Sequence, residues 1–109
     1  MADLYLSIPA QEVITNLNQV IVDGSVTGTL VHQYTTESGN GPVTVLIYEK
    51  HSFLAENRLT LTVILDTVDG KSHLHAISAG GGKGIFRVDY GASGRFEDCI
   101  YDAVFKYIL

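Results

Sequence analysis

The sequence has a single cysteine, Cys99, which excludes an intramolecular disulfide and any site built from several thiolates. No apolar run approaches the ~20 residues that cross a bilayer, so no membrane partner is expected. The opening Met1-Ala2-Asp3-Leu4-Tyr5-Leu6-Ser7-Ile8-Pro9 has neither a basic lead nor a sustained apolar stretch. That is not the pattern of a signal peptide, and the expected location is the cytoplasm. Basic residues are few: 7 Lys and Arg stand against 12 Asp and Glu, for a net charge of −5 with His neutral. A phosphate polymer meets a repulsive average field, which disfavours nucleic acid as a partner. Internal repeats, low-complexity tails and linkers are missing as well. So are a Gly-x-Ser-x-Gly turn, a P-loop and a dinucleotide fingerprint. No cofactor is therefore expected, and a catalytic role is disfavoured.

What remains is an ordinary globular composition. The 109 residues are 46% hydrophobic and 17% charged, enough for one core and one domain over residues 1–109. Residues 3–8 alternate as a short strand. Ser7 and Pro9 carry helix-start chemistry. Val13, Ile14, Leu17, Val20 and Ile21 recur at three- and four-residue spacing along one helix face, which Asp23-Gly24 ends through a left-handed glycine. Val26–Thr35 and Val43–Glu49 have strand composition, with a turn at Ser38–Pro42 between them and an irregular connection at His51–Asn57 after them.

The clearest strand is Arg58–Asp66, in which Leu59, Leu61, Val63 and Leu65 alternate with Thr60, Thr62 and Ile64. Asp69-Gly70 is the preferred dipeptide for a two-residue hairpin turn into Lys71–Ala79. That register sets Leu65 against Leu74 and Val63 against Ala76 on the core side. On the other side it sets Asp66 against His73 and Ile64 against His75. A glycine-rich link at 80–84 leads to a last short strand, Ile85–Asp89 or Tyr90. A closing helix then carries Phe96, Cys99, Ile100, Ala103 and Tyr107 on one stripe. Cys99 on that stripe reads as a small buried hydrophobe rather than a nucleophile.

The order strand, helix, strands, helix predicts an α+β fold. It is a two-layer sandwich in which an antiparallel sheet of about five strands has both helices on one face. This layout, with the opening Ser7-Ile8-Pro9-Ala10 and Val13, resembles the START-like helix-grip domains. That resemblance implies a curved sheet gripping the last helix around an apolar ligand. The stretch Ser78–Tyr90 also resembles small uncharacterised bacterial domains, a resemblance that implies no function.

Three groups of residues have site chemistry. His73 and His75 share a strand face, and the hairpin register adds Asp66: two imidazoles and a carboxylate suit a divalent metal such as zinc. A solvated sheet surface with idle histidines explains the same pattern. Lys83, Arg87 and Arg95 surround the glycine-rich link, whose amides suit an anion. The competing explanation is a bend where sheet meets helix. His32, between Leu30 and Tyr34, suits a polar ligand pocket if that face turns inward, or a hydrogen-bonded core position if not.

The leading reading is a non-catalytic binding or interaction module, with a carrier of a small apolar ligand as runner-up. A metal protein or small enzyme using His73, His75 and Asp66 comes third. Two helices cover only one sheet face. The other, with Thr60, Thr62, Ile64, His75 and Ile77, is too apolar to stay fully solvated. A homodimer burying that face or an edge strand is the expected assembly.

Overall fold

A computed structural model describes residues 1–52, 57–80 and 92–109. The elements run β1 (Ala2–Leu6), α1 (Ala10–Asn18), a π-helical turn (Gln19–Asp23), β2 (Thr29–Ser38), β3 (Gly41–Ser52), β4 (Asn57–Asp66), β5 (Ser72–Gly80), α2 (Ala92–Val104) and a 3-10 turn (Phe105–Tyr107). The strands form one five-stranded antiparallel sheet in the order β1-β5-β4-β3-β2. The α+β class and the antiparallel sheet match the sequence reading. The expected strand at 85–90 and the link at 81–84 lie outside the described residues.

Alternation decides which face is covered. Leu59, Leu61, Val63 and Leu65 are buried, and so are their cross-strand partners Tyr48, Leu46, Thr44, Ala76 and Leu74. Against this face pack Val13, Ile14 and Leu17 of α1, Ile21 of the π turn, and Phe96, Ile100, Ala103 and Val104 of α2. Tyr48 anchors the two layers. It is fully buried, and its hydroxyl donates to Asn18 Oδ1 at 2.7 Å. Burial pushes its phenol pKa up to about 12.

Local details correct several expectations. Pro9 stands just before α1 with ψ 154°, its carbonyl accepting the Val13 amide at 3.1 Å, and Ser7 provides no side-chain cap. Gly24 ends the helical run at φ −89°, not in the left-handed region. Its amide closes the wide π turn on the Gln19 carbonyl at 2.9 Å, and a Cβ there would lie 3.0 Å from the Val20 carbonyl oxygen. A side chain at this position would therefore be tight against the turn, although the backbone conformation itself does not require glycine. β2 and β3 run further toward their turn than expected, because Ser38 pairs with Gly41 across Gly39-Asn40.

The β4–β5 register is as expected, with Leu65 opposite Leu74, Val63 opposite Ala76, Ile64 opposite His75 and Asp66 opposite His73. The turn is not two residues long. Ladder pairing stops at Asp66–His73, and the Gly70 amide donates to the Thr67 carbonyl at 2.9 Å. The tight bend therefore centres on Val68-Asp69, with Gly70 following at φ 79°. Asp66 Oδ1 accepts the Val68 amide at 3.1 Å, an aspartate turn that competes with further strand pairing.

The two sheet edges end differently. Beyond β1, Leu6 bridges Ile108, the Ser7 amide donates to the Tyr107 carbonyl at 2.8 Å, and the Leu109 amide donates to the Tyr5 carbonyl at 2.9 Å. The outer side of β2 pairs with no strand among the described residues. Nine of its ten residues are exposed, and Leu30 near its start packs against the core.

Candidate functional site

The helix-free face of the sheet has two characters. Across β2, β3 and β4 it presents Tyr34, Val43, Val45, Ile47, Thr62 and Ile64, which the register places side by side. Ile77 of β5, opposite Thr62, is 52% exposed, and Tyr34 is 56% exposed. Toward β1 the same face becomes charged, because β1 adds Asp3 opposite His75 and Tyr5 opposite His73.

His73 stands between two carboxylates. Its Nδ1 lies 3.1 Å from Asp66 Oδ2 and its Nε2 lies 2.6 Å from Asp3 Oδ1. Asp3 Oδ1 also lies 3.3 Å from His75 Nδ1. The Tyr5 ring stacks on the His73 ring at 4.6 Å between centroids and 18° between planes, while its hydroxyl donates to Asp69 Oδ2 at 2.9 Å. Only the imidazolium can donate from both nitrogens, so this geometry fits protonated His73. Burial opposes the charge on His73, but the hydrogen bonds and charges of Asp3 and Asp66 outweigh it and raise the pKa. The bonds to His73 and His75 hold the Asp3 carboxyl below its ordinary range. The bond to Asp69 raises the Tyr5 phenol.

The signs give a pH window. A raised imidazole pKa stabilises the fold fully below its unfolded value of about 6.5, and the effect is lost as pH rises through the folded value. A lowered carboxyl pKa stabilises the fold above its unfolded value of about 3.9, and that effect is lost as pH falls through the folded one. The cluster therefore ties β1, β5 and β4 together best between those limits. The expected result is an NMR titration in which His73 ionises above the ordinary imidazole value and moves back toward it in Asp3→Asn. A His73 pKa at or below that value in the unmodified protein would contradict the assignment.

Among the residues expected to form sites, the structure brings together Asp66, His73 and His75. It adds Asp3 and Tyr5, which sequence reasoning missed. Asp3 and Tyr5 share a face by simple alternation, but nothing local says that β1 joins β5. Among the described residues no three His, Cys, Asp or Glu groups are arranged to hold a metal ion. His73 commits both ring nitrogens to carboxylates instead.

His32 lies on the exposed helix-free side of β2. A bulge between Leu30 and His32 sets Leu30 opposite buried Tyr48 but His32 opposite Ile47, so the two residues lie on opposite faces and His32 is exposed. Lys83 and Arg87 lie outside the described residues, and Arg95 falls in the first turn of α2. Cys99 is half-buried, and burial raises its thiol pKa, which suits a packed thiol and not a thiolate nucleophile.

Side chains pack closely between the middle of α2 and the sheet. Phe96, Ile100, Val104, Leu61, Val63 and Ala76 there are each 0–1% exposed. Two open grooves lie beside α2, one toward α1 and one toward the π turn and the end of β3. The first, of about 490 Å³, runs beside Asn16, Gln19, Tyr101 and Lys106, and the second, of about 440 Å³, is lined by Ile21, Lys50, Phe96 and Cys99. Both grooves are open to solvent, unlike the enclosed cavity that a helix grip implies.

The chain is thus a one-sided α+β sandwich with an ion-paired cluster on its helix-free face. Residues 1–108 match the model of a Family of unknown function (DUF6054), and the chain belongs to that family. The match agrees with the resemblance to small uncharacterised domains and lends no support to a START-like relationship. No curated protein matches the chain significantly, and neither does any solved structure. Among the described residues no helix is long and apolar enough to cross a membrane.

Proposed function

We propose that the domain is a non-catalytic interaction module that works as a homo-oligomer. One observation carries this reading: among the described residues nothing covers the sheet surface opposite the helices, although half-buried Val43, Val45, Ile47 and Ile64 lie in it beside exposed Tyr34 and Ile77. Contiguous apolar surface of this kind, rimmed by polar groups, is typical of an association surface. The close packing beneath the middle of α2 weighs against the carrier reading.

Light scattering across micromolar concentrations tests the proposal. The expected mass is a multiple of 11.8 kDa, with dimers the commonest closed solution. A mass of one chain at every concentration would overturn it.

A further inference from the structure

We infer that β2 is the contact through which two copies join, edge to edge and antiparallel, into one continuous sheet. The inference rests on the homo-oligomer reading but places the contact at a sheet edge, so that the helix-free face is extended across two copies and not covered. It starts from the asymmetry of the edges. The fold spends its last residues closing β1, where the backbones of Tyr107, Ile108 and Leu109 bond or bridge the strand's end. β2 has no equivalent among the described residues, yet it is twice as long, ten residues against five.

Exposed edges are normally blunted by short length, lysine, proline, inward charge or a bulge. β2 has no lysine and no proline, and its one bulge at Val31 lies near its start. Beyond the bulge, His32–Ser38 pairs with β3 without interruption, so alternate N–H and C=O groups on the outer side form a regular row. Thr29, Val31, Tyr34, Thr35 and Thr36 are residues that favour strands.

The sequence of that row fits its own copy. A two-fold axis through the middle of His32–Ser38, at Thr35, sets Tyr34 of each copy against Thr36 of the other. The same register sets Glu37, the only acidic or basic residue in the run apart from His32, against Gln33. A carboxylate then meets an amide donor, and no like charges meet. Because both faces of β2 are exposed, neighbouring side chains on each face gain cover from the pairing. A strand from an unrelated protein uses the same backbone groups, and that alternative predicts a monomer when the protein is alone.

The test compares three proteins by light scattering. The unmodified chain should be a dimer. Tyr34→Lys with Thr36→Lys gathers four lysines around the two-fold axis and should halve the mass, with circular dichroism unchanged because both sites are exposed in the single chain. Ile77→Lys, on the helix-free face of β5, should leave the dimer intact. A monomeric parent would sink both the interface and the homo-oligomer reading. A dimer that survives the double substitution, or is lost in Ile77→Lys, would overturn the β2 interface and leave the broader reading standing. If the double variant fails to fold, hydrogen exchange of the unmodified protein decides. The amides in 32–38 that face away from β3 should exchange at least about tenfold more slowly when assembled than at monomeric dilution, a ratio equivalent to about 1.4 kcal/mol. Equal rates would overturn the interface.

Discussion

Replacing Phe96 with alanine should destabilise the domain by about 3–5 kcal/mol, the range for a buried phenylalanine that leaves a cavity. Phe96 is 1% exposed and belongs to the cluster that joins α2 to the sheet. Lys50 Nζ lies 6.0 Å from the centre of its ring, so the side chain also supports the β3 end of the core. A small domain has a total stability of only about 5–15 kcal/mol, so the loss is a large part of the whole. Phe105→Ala is the control. Phe105 is 74% exposed and should change stability by no more than about 0.5 kcal/mol. Urea unfolding of both variants measures the contrast, and similar losses in the two would mean that α2 presents a different face to the sheet.

Gly28→Ala should cost about 1–3 kcal/mol or more, through overpacking and not through handedness. A Cβ at Gly28 would lie 2.0 Å from the Ile21 carbonyl oxygen and 3.1 Å from the Ser25 hydroxyl oxygen. The Ile21 oxygen is backbone within the π turn, and the Ile21 side chain is 1% exposed, so neither can move without disturbing the core. The Gly28 amide also donates to Ser25 Oγ at 3.1 Å. The approach to β2 must therefore shift if the turn does not. Gly39→Ala is the comparison, because nothing lies within 4 Å of its Cβ position. Equal unfolding midpoints for the two variants would show that Gly28 is not pressed against the turn.

The sequence made the buried face of β4 legible because strict alternation leaves only one way to bury Leu59, Leu61, Val63 and Leu65 together, while the Asp69-Gly70 turn supplied the register with β5. A slip of one residue would expose all of them. The stripe of α2 was readable for the same reason, as Phe96, Ile100 and Ala103 repeat at helical spacing. Other features depended on contacts between distant parts of the chain. Asp3 reaches His73 only because β1 inserts beside β5, a pairing across 70 residues of sequence that no local pattern encodes. The bulge at Val31 was equally hidden. One extra residue moved His32 to the opposite face from Leu30, although the unbroken alternation of types suggested a shared face. At the β4–β5 turn, Asp66 captured the Val68 amide, and this side-chain bond set where the ladder ends.

The seam at β1 also bears on the order in which the domain assembles during synthesis. Leu6 and Ile108 are bridged although almost the whole described sequence separates them. The Ser7 and Leu109 amides close the same seam. A ribosome-bound chain holding β2 to β5 can form its hairpins, since these join neighbouring segments. The outer side of β1 stays uncapped until residues 107–109 have emerged. Contacts of such separation form late and slow folding, so the β1 edge is expected to gain its cover only after residues 107–109 have emerged and to stay open to wrong pairing on a chain stalled before that point.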